Sequence, residues 1–208
     1  MAKIIVFANQ KGGVGKTTTC VNLAAALHQQ GKRILLCDFD PQANATSGMG
    51  VDKTTSNGVY DVVINGVDTE KVIVTTPYGD VLPSSKALAG AGVEMIELPG
   101  RQFLLKKALA QVKEKYDFIF IDCPPSLGML TVNALTAADT VVIPAKADIY
   151  SLQGVKQLYG TICAVRRYCN KGLRIEGILL TAYNPRAVLN REIADAFKLT
   201  AENMETKL

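Results

Sequence analysis

The sequence has 208 residues and a formal net charge of +4. Its composition, with 48% hydrophobic and only 20% charged residues, argues against a disordered chain, and its length suits one α/β domain. No apolar run approaches the roughly 18 residues of a membrane span, and we expect neither a signal peptide nor a membrane partner. The five cysteines include no C-x-x-C pair, which argues against a zinc site and favours reduced thiols in a cytoplasmic protein.

Strand-like and helix-like patterns alternate along the chain. Apolar runs typical of parallel strands that are covered on both faces occur at 3–8, 33–38, 116–122, 139–145 and 174–183. Helical segments are predicted at 16–30, 101–116, 128–137, 150–168 and 188–207, with a short helix at 59–65 and short strands within 71–76 and 80–85. This alternation predicts a single domain over residues 1–208, with a mostly parallel twisted sheet and helices on both faces. Ligands of such sheets bind at the carboxyl ends of the strands, so we expect the functional residues there.

The first predicted strand leads into the segment NQKGGVGKTTT, residues 9–19. It resembles a phosphate-binding loop, but the standard pattern G-x-x-x-x-G-K-[ST] requires glycine where this sequence has Gln10, and a lysine, Lys11, follows. Its glycines let backbone N–H groups point at one anion, and the helix N-terminus adds partial positive charge. We expect Lys16 to reach the β- and γ-phosphates and the Thr17 hydroxyl to bind Mg²⁺. An ordinary glycine turn would not require G-K-T at the start of a helix.

Carboxylates follow two other predicted strands. Asp38 and Asp40 leave the second strand with one residue between them, and alternation along a strand would point them the same way. Asp122 ends the apolar run FIFID, a position from which phosphate-loop NTPases deliver a carboxylate to the magnesium shell. One carboxylate can orient an attacking water and another can support the metal. Two aspartates that only make turns remain an alternative for Asp38 and Asp40.

Four segments together resemble the ParA/Soj family of chromosome- and plasmid-partition ATPases: KGGVGKTTT, DFDPQANATSGMG, FIFIDCPPSLGMLTVNALTAAD and VVIPAKADIYSLQGVKQL. The resemblance covers essentially the whole chain and implies a P-loop NTPase-like fold. It also implies a deviant phosphate loop, in which two subunits sandwich two ATP molecules and Lys11 of each reaches the phosphates of its partner. The residues expected to bind ATP are Lys11, Gly12, Gly13, Val14, Gly15, Lys16, Thr17 and Thr18.

The same resemblance implies a role for each polar residue of the motifs. The expected catalytic residues are Lys11, Lys16 and Asp40. The expected magnesium residues are Thr17, Asp38 and Asp122. Asp40 would activate water, Asp122 would act on Mg²⁺ through a water, and Asp38 would support the adjacent loop and the magnesium shell. An added cation such as Lys11 would stabilise charge in the transition state, and hydrolysis is expected to be slow without a stimulator.

For partners, the resemblance implies an ATP-dependent homodimer that binds duplex DNA without sequence preference, and a centromere-binding ParB-type protein that stimulates hydrolysis. Such a protein is expected in the cytoplasm, associated with the nucleoid. Candidate DNA contacts are Arg186 and Arg191, with Lys198 as a weaker one, and further candidates are Arg166, Arg167, Lys171 and Arg174. Each of these residues could equally be a solvated surface charge. Non-specific DNA binding should weaken steeply with salt.

Two alternatives stay open. A MinD-like division-site ATPase belongs to the same superfamily and binds membranes through a C-terminal amphipathic helix, although the segment DPQANATSG resembles the partition branch. A nucleotide-gated DNA-binding scaffold with negligible hydrolysis is the other. The resemblance further implies that family members continue for about forty to fifty residues, with one more strand and a helix, so we expect the C-terminal end of the fold to be truncated here.

Overall fold

Seven strands form one sheet in the computed structural model, which describes residues 1–54 and 57–208. They are β1 (Lys3–Phe7), β2 (Ile34–Asp38), β3 (Val74–Thr76), β4 (Gly79–Leu82), β5 (Phe118–Asp122), β6 (Thr140–Lys146) and β7 (Arg174–Thr181). Their order across the sheet is β3-β4-β2-β5-β1-β6-β7. Every neighbouring pair is parallel except β3 with β4, which is antiparallel. The predicted mostly parallel α/β sheet is confirmed.

Helices connect the strands and cover both faces of the sheet. They are α1 (Lys16–Gln29), α2 (Asn44–Gly48), α3 (Val59–Val63), α4 (Leu88–Glu94), α5 (Leu104–Ala110), α6 (Met129–Ala137), α7 (Ile149–Tyr168) and α8 (Val188–Asn203). Side chains alternate across a strand, so Ile4 and Val6 of β1 pack into a larger core while Ile5 and Phe7 pack into a smaller one. Helices α1 and α2 contribute to the smaller core, and α3 to α8 contribute to the larger.

The strand register determines which residues meet at the carboxyl edge of the sheet. In the parallel pairing of β5 with its two neighbours, Asp122 lies beside Phe7 of β1 on one side and beside Asp38 of β2 on the other. The glycine-rich loop leaves β1 directly after Phe7. The predicted phosphate loop and the predicted carboxylates therefore converge at this edge because three central strands end at the same level.

The predicted helix over 101–116 is wrong in its extent. α5 is flanked by 3₁₀ turns at Arg101–Phe103 and Lys113–Lys115. At its end the backbone tightens to i→i+3 hydrogen bonds, and the Thr69 hydroxyl donates to the Ala108 carbonyl at 3.0 Å. This early end lets the buried side chain of Val112 reach the core before the chain enters β5.

Two short helices form where the sequence predicts none. α2 follows Ala43, which adopts a left-handed conformation with φ of 52°. α4 lies between the short strand predicted within 80–85 and the helix predicted at 101–116. The last predicted helix, 188–207, ends earlier, at Asn203, and the chain then turns back so that the Ile178 N–H donates to the Lys207 carbonyl at 2.9 Å.

Candidate active site

The glycine-rich loop is shaped by left-handed glycines and by contact with β7. Gly13 and Gly15 have φ of 67° and 87°, values that glycine adopts without a Cβ penalty. A Cβ on Gly15 would lie only 3.3 Å from the Thr181 side chain, so the close approach also requires glycine. The Thr181 hydroxyl donates to the Val14 carbonyl at 2.8 Å, and Val14 itself is buried. The contacts with Thr181 at the end of β7 thus hold one side of the loop in place.

The side of the loop away from β7 is open and lies at the N-terminus of α1. Gly12 and Gly13 are exposed, and among the described residues no atom beyond the two chain neighbours of Gly12 lies within 4 Å of where a Gly12 Cβ would be. α1 begins at Lys16 without a side-chain cap and without an acidic residue in its first turn. Its first backbone N–H groups therefore remain available to an anion, as the sequence predicts.

Lys16 lies inside the loop. Its side chain is only 6% exposed, and its Nζ donates to the Lys11 carbonyl at 3.0 Å. Burial lowers the pKa of Lys16, and the carboxylates of Asp122 and Asp40 act in the opposite direction. A cation with a single backbone partner, next to the open glycines, can transfer its hydrogen bonds to a phosphate.

Lys11, the second lysine of the loop, points to a different element. Its Nζ donates to both carboxylate oxygens of Asp148, each at 2.7 Å, and lies 5.6 Å from the centre of the Tyr150 ring. Asp148 is also the N-cap of α7, where it accepts from the Ser151 N–H. The Lys11 N–H donates to the buried side chain of Asn9 at 3.0 Å. The two lysine ammonium groups thus have separate environments.

Asp122 has one satisfied and one unsatisfied oxygen. Oδ2 accepts from the Thr17 hydroxyl at 2.6 Å, while Oδ1 is buried and has no hydrogen-bond partner among the described residues. Burial raises the pKa of Asp122 to about 7, opposed by the Thr17 hydrogen bond and by Lys16, and supported by the nearby charges of Asp38 and Asp40. A water bound to Mg²⁺ would satisfy this oxygen, so the Thr17–Asp122 pair fits the predicted metal site.

Asp38 is fully hydrogen-bonded to the next loop. Its Oδ2 accepts from the N–H and the hydroxyl of Thr46, both at 2.7 Å, and its Oδ1 accepts from the Asp40 N–H at 3.1 Å. Burial raises the pKa of Asp38 to about 6, and these hydrogen bonds oppose the shift. The contacts favour the predicted support of the adjacent loop over direct contact with a metal, and the magnesium role of Asp38 stays a prediction.

Asp40 is buried at the edge of the site, with 7% of its surface exposed. Its Oδ1 accepts from the Gln42 N–H at 2.9 Å, and Oδ2 makes no hydrogen bond to any described residue. Across residues 1–54 and 57–208, no three His, Cys, Asp or Glu residues are grouped so that they could hold a metal ion.

Comparisons with known proteins identify the family of this chain. A family model described as an AAA domain matches residues 2–175. The sporulation initiation inhibitor protein Soj of Bacillus subtilis is 49% identical, over 95% of this chain and 79% of that protein. The chromosome-partitioning ATPase Soj of Treponema pallidum is 46% identical, over 93% and 76%. The chain belongs to the Soj/ParA family of chromosome-partitioning ATPases.

Among solved structures, one similar to this Soj/ParA-family chain is a Mycobacterium smegmatis protein described as cobyrinic acid a,c-diamide synthase, with bound ADP and magnesium. It is 39% identical, has a TM-score of 0.90 and covers 94% of this chain and 81% of that one. Within the described part of the Soj/ParA-family chain, every helix is too short or too polar to span a lipid bilayer.

The predicted DNA contacts of this Soj/ParA-family chain form two groups. Arg186 and Arg191 are exposed and follow the carboxyl end of β7, on the side of the glycine-rich loop. Lys198 is ion-paired with Asp195 at 2.9 Å, in agreement with its lower rank. The second group lies at the opposite end of β7 and consists of Arg166, Arg167, Lys171 and Arg174. These residues stay predictions as DNA contacts.

Several residues of the site are not identified by the sequence analysis. Asp148 could have been recognised as an N-cap from the pattern D-x-x-S before a helical segment. The contacts of Asn9 with Pro144, of Thr181 with Val14, and of Ser84 with Asp40 and Thr46 leave no local signal, because each joins segments that are distant in the chain. Only the fold brings them to the edge of the site.

Proposed function

We propose that this chain forms an ATP-dependent homodimer, in which each subunit binds one nucleotide and supplies Lys11 to the other. The observation that carries the proposal is the separation of the two lysines. Lys16 is buried within its own loop, whereas the ammonium of Lys11 is bound to Asp148 at the edge of the site. A lysine at that edge can reach a second subunit without disturbing the loop that holds it.

Within one subunit, we propose that residues 12–18 bind the phosphates of ATP through the open backbone N–H groups and Lys16. Thr17 and Asp122 would hold Mg²⁺, which neutralises phosphate charge when bound. The Asp40 carboxylate, with Oδ2 available, would accept a hydrogen bond from the attacking water and orient it. Asp38 would fix the position of Asp40 through the hydrogen bond between them.

The lysine supplied by the partner would complete the charge around the γ-phosphate. A cation near the transferred phosphoryl group stabilises the transition state, as arginine fingers do in related enzymes. Because the lysine comes from the second chain, hydrolysis would require the dimer. In each subunit, Lys11 must then exchange Asp148 for the nucleotide of its partner.

We further propose that the ATP-bound dimer binds duplex DNA without sequence preference, and that a ParB-type centromere-binding protein stimulates hydrolysis. The relatives act in chromosome partitioning by name, and exposed arginines follow β7 close to the site. This function places the protein in the cytoplasm, associated with the nucleoid. It also separates the proposal from a MinD-like ATPase, which would bind anionic lipid vesicles instead of DNA.

The proposal is tested by measuring ATP hydrolysis and subunit association of the same samples with Mg-ATP. We expect Lys16→Ala to lose both, because the phosphates lose their buried cation. Asp40→Ala should still form dimers with ATP but hydrolyse it at a rate lower by about 100-fold or more. Lys106→Ala, at an exposed position on α5, is the control and should match the parent. Rapid hydrolysis by Asp40→Ala would remove the role of Asp40. A parent protein that binds ATP, associates and binds DNA without hydrolysis would instead be a scaffold.

A further inference from the structure

A ring of buried hydrogen bonds joins Asp40 to a strand that carries no part of the predicted motifs. Asp38 bonds to Thr46, and the Thr46 hydroxyl accepts from the Ser84 N–H at 2.9 Å. The Ser84 hydroxyl in turn donates to the Asp40 carbonyl at 2.8 Å, and the Asp40 N–H closes the ring on Asp38. Asp38, Thr46 and Ser84 are each at most 1% exposed. Ser84 is the one member that lies beyond β4.

The main chain next to Ser84 is itself held rigidly. The carbonyl of Pro83 accepts from the Val59 N–H at 2.8 Å, at the start of α3. A Cβ on Gly58 would lie 2.7 Å from that same carbonyl oxygen, so only glycine permits the contact. Ser84 is therefore attached to a frame made by β4 and α3.

The Asp40 loop is open on one side. Residues 41–43 border a cavity of about 820 Å³, whose other walls include residues 85–87 and Ala89. The buried residues Phe39 and Ala43 anchor the loop on its inner side, and hydrogen bonds hold the main chain of Asp40 between them. The Asp40 carbonyl accepts two of them, from the Ala43 N–H within the loop and from the Ser84 hydroxyl outside it.

We infer that Ser84 is a positioning residue for ATP hydrolysis, which holds the main chain of Asp40 so that the Asp40 carboxylate meets the attacking water. The inference rests on the role given to Asp40 in the proposed function. Among the described residues, Ser84 makes hydrogen bonds to Thr46 and Asp40 and none to the phosphate loop or to the Thr17–Asp122 pair. Its loss should therefore change the rate of the chemical step and leave nucleotide binding unchanged.

The test compares kcat for ATP hydrolysis and the Kd for Mg-ATP in Ser84→Ala and in the parent. We expect kcat to fall by about tenfold, the effect of one lost hydrogen bond, with Kd within about twofold. Ser85→Ala is the matched control, because the neighbouring Ser85 side chain makes no hydrogen bond to any described residue, and it should behave as the parent. In an Asp40→Ala background, Ser84→Ala should cause no further loss, because the residue on which it acts is already gone.

Ser84→Cys, similar in volume and a weaker donor, should give an intermediate kcat. An unchanged kcat in Ser84→Ala, or a parallel loss of Mg-ATP binding, would overturn the inference. Failure of both variants to fold would also overturn it, since Ser84 would then be structural. If the parent hydrolyses ATP and Asp40→Ala does not, an unaffected Ser84→Ala contradicts this inference alone. Full hydrolysis by Asp40→Ala would contradict the proposed function itself.

Discussion

At the scale of single residues, the two lysines of the glycine-rich loop differ in what they can do. Lys16 is buried with one backbone partner, so its hydrogen bonds are available for a phosphate inside the subunit. Lys11 makes a bidentate ion pair with Asp148 whose side chains are 31% and 35% exposed. Ion pairs with this exposure contribute about 0–1 kcal/mol, so the pair can open at little cost. Asp148 should therefore bind Lys11 only weakly, as the proposed transfer of Lys11 to the partner's nucleotide requires.

Replacing Asp148 by Asn tests whether the ion pair between Asp148 and Lys11 is weak. Asn caps a helix about as well as Asp, so α7 should keep its N-terminus while the ion pair is lost. We expect ATP-dependent association to strengthen by about two- to fivefold, because Lys11 no longer has to leave a carboxylate. Association would be measured by light scattering over a concentration series with Mg-ATP. Asp195→Asn, which removes an exposed pair on α8, is the control, and weaker association of Asp148→Asn than of this control would contradict the account.

At the scale of elements, a surface contact joins the starts of two central strands. Asp117, just before β5, accepts from the Arg33 N–H at 2.9 Å and from the Arg33 guanidinium at 2.8 Å. Hydrogen bonds from Arg33 lower the pKa of Asp117 to about 2. The ionised carboxylate is favoured in the folded state, so this contact stabilises the fold above the unfolded pKa of about 4. The contribution is lost as the pH falls from there towards 2.

Asp117→Asn should therefore be less stable than the parent at pH 6, and the difference should shrink between about pH 4 and pH 2. Both groups are exposed, so we expect a small effect. The measurement is urea unfolding of both proteins at several pH values in this range. A difference that stays constant with pH would show that the charge of Asp117 does not contribute.

The elements that the sequence predicts well are those with local causes. The strands β1, β2, β5 and β6 are continuous apolar runs, and α1 follows a glycine-rich turn, so pattern alone identifies them. α5 ends early because Thr69, distant in the chain, bonds to its last turn, and no local pattern indicates this. α2 begins at Asn44, directly after the left-handed Ala43, where the sequence analysis predicts no helix.

The features of the candidate site also differ in whether a local sequence pattern predicts them. The convergence of Lys16, Thr17 and Asp122 at one edge of the sheet could be predicted, because strand ends and glycines mark them in the sequence. The contacts of Ser84 with Thr46 and with Asp40 depend on where β2 and β4 lie in the sheet. These contacts could not be predicted, because a strand order is a property of the whole fold.

At the scale of the whole molecule, the candidate DNA-contacting residues form two groups, one at each end of β7. Arg186 and Arg191 lie on the side of the nucleotide loop, while the arginines at the end of α7 lie on the opposite side. A DNA-binding surface that forms only with ATP should lie on the side of the subunit where the nucleotide binds and the proposed dimer forms. The first group is thus the stronger candidate for DNA contact.

The double variant Arg186→Ala/Arg191→Ala should weaken ATP-dependent binding to random-sequence duplex DNA. If each arginine contacts one phosphate, the dimer loses four contacts, and the slope of log K against log salt should become shallower by about 4. Fluorescence anisotropy over a salt series would measure this. Arg166→Ala/Arg167→Ala is the matched control and should bind nearly as the parent does. A larger loss in the control would move the DNA surface to the other end of the molecule.

The central claim is that Lys11 acts on the nucleotide of the partner subunit, and mixing two inactive variants tests it most directly. Lys11→Ala and Asp40→Ala should each hydrolyse ATP poorly alone. In a mixed dimer, the site with an intact Asp40 receives an intact Lys11 from the other chain. Equal mixing should therefore restore about a quarter of the parent activity, since half the dimers are mixed and each has one complete site. No recovery, although the mixed dimers form, would show that Lys11 acts within its own subunit and would contradict the account.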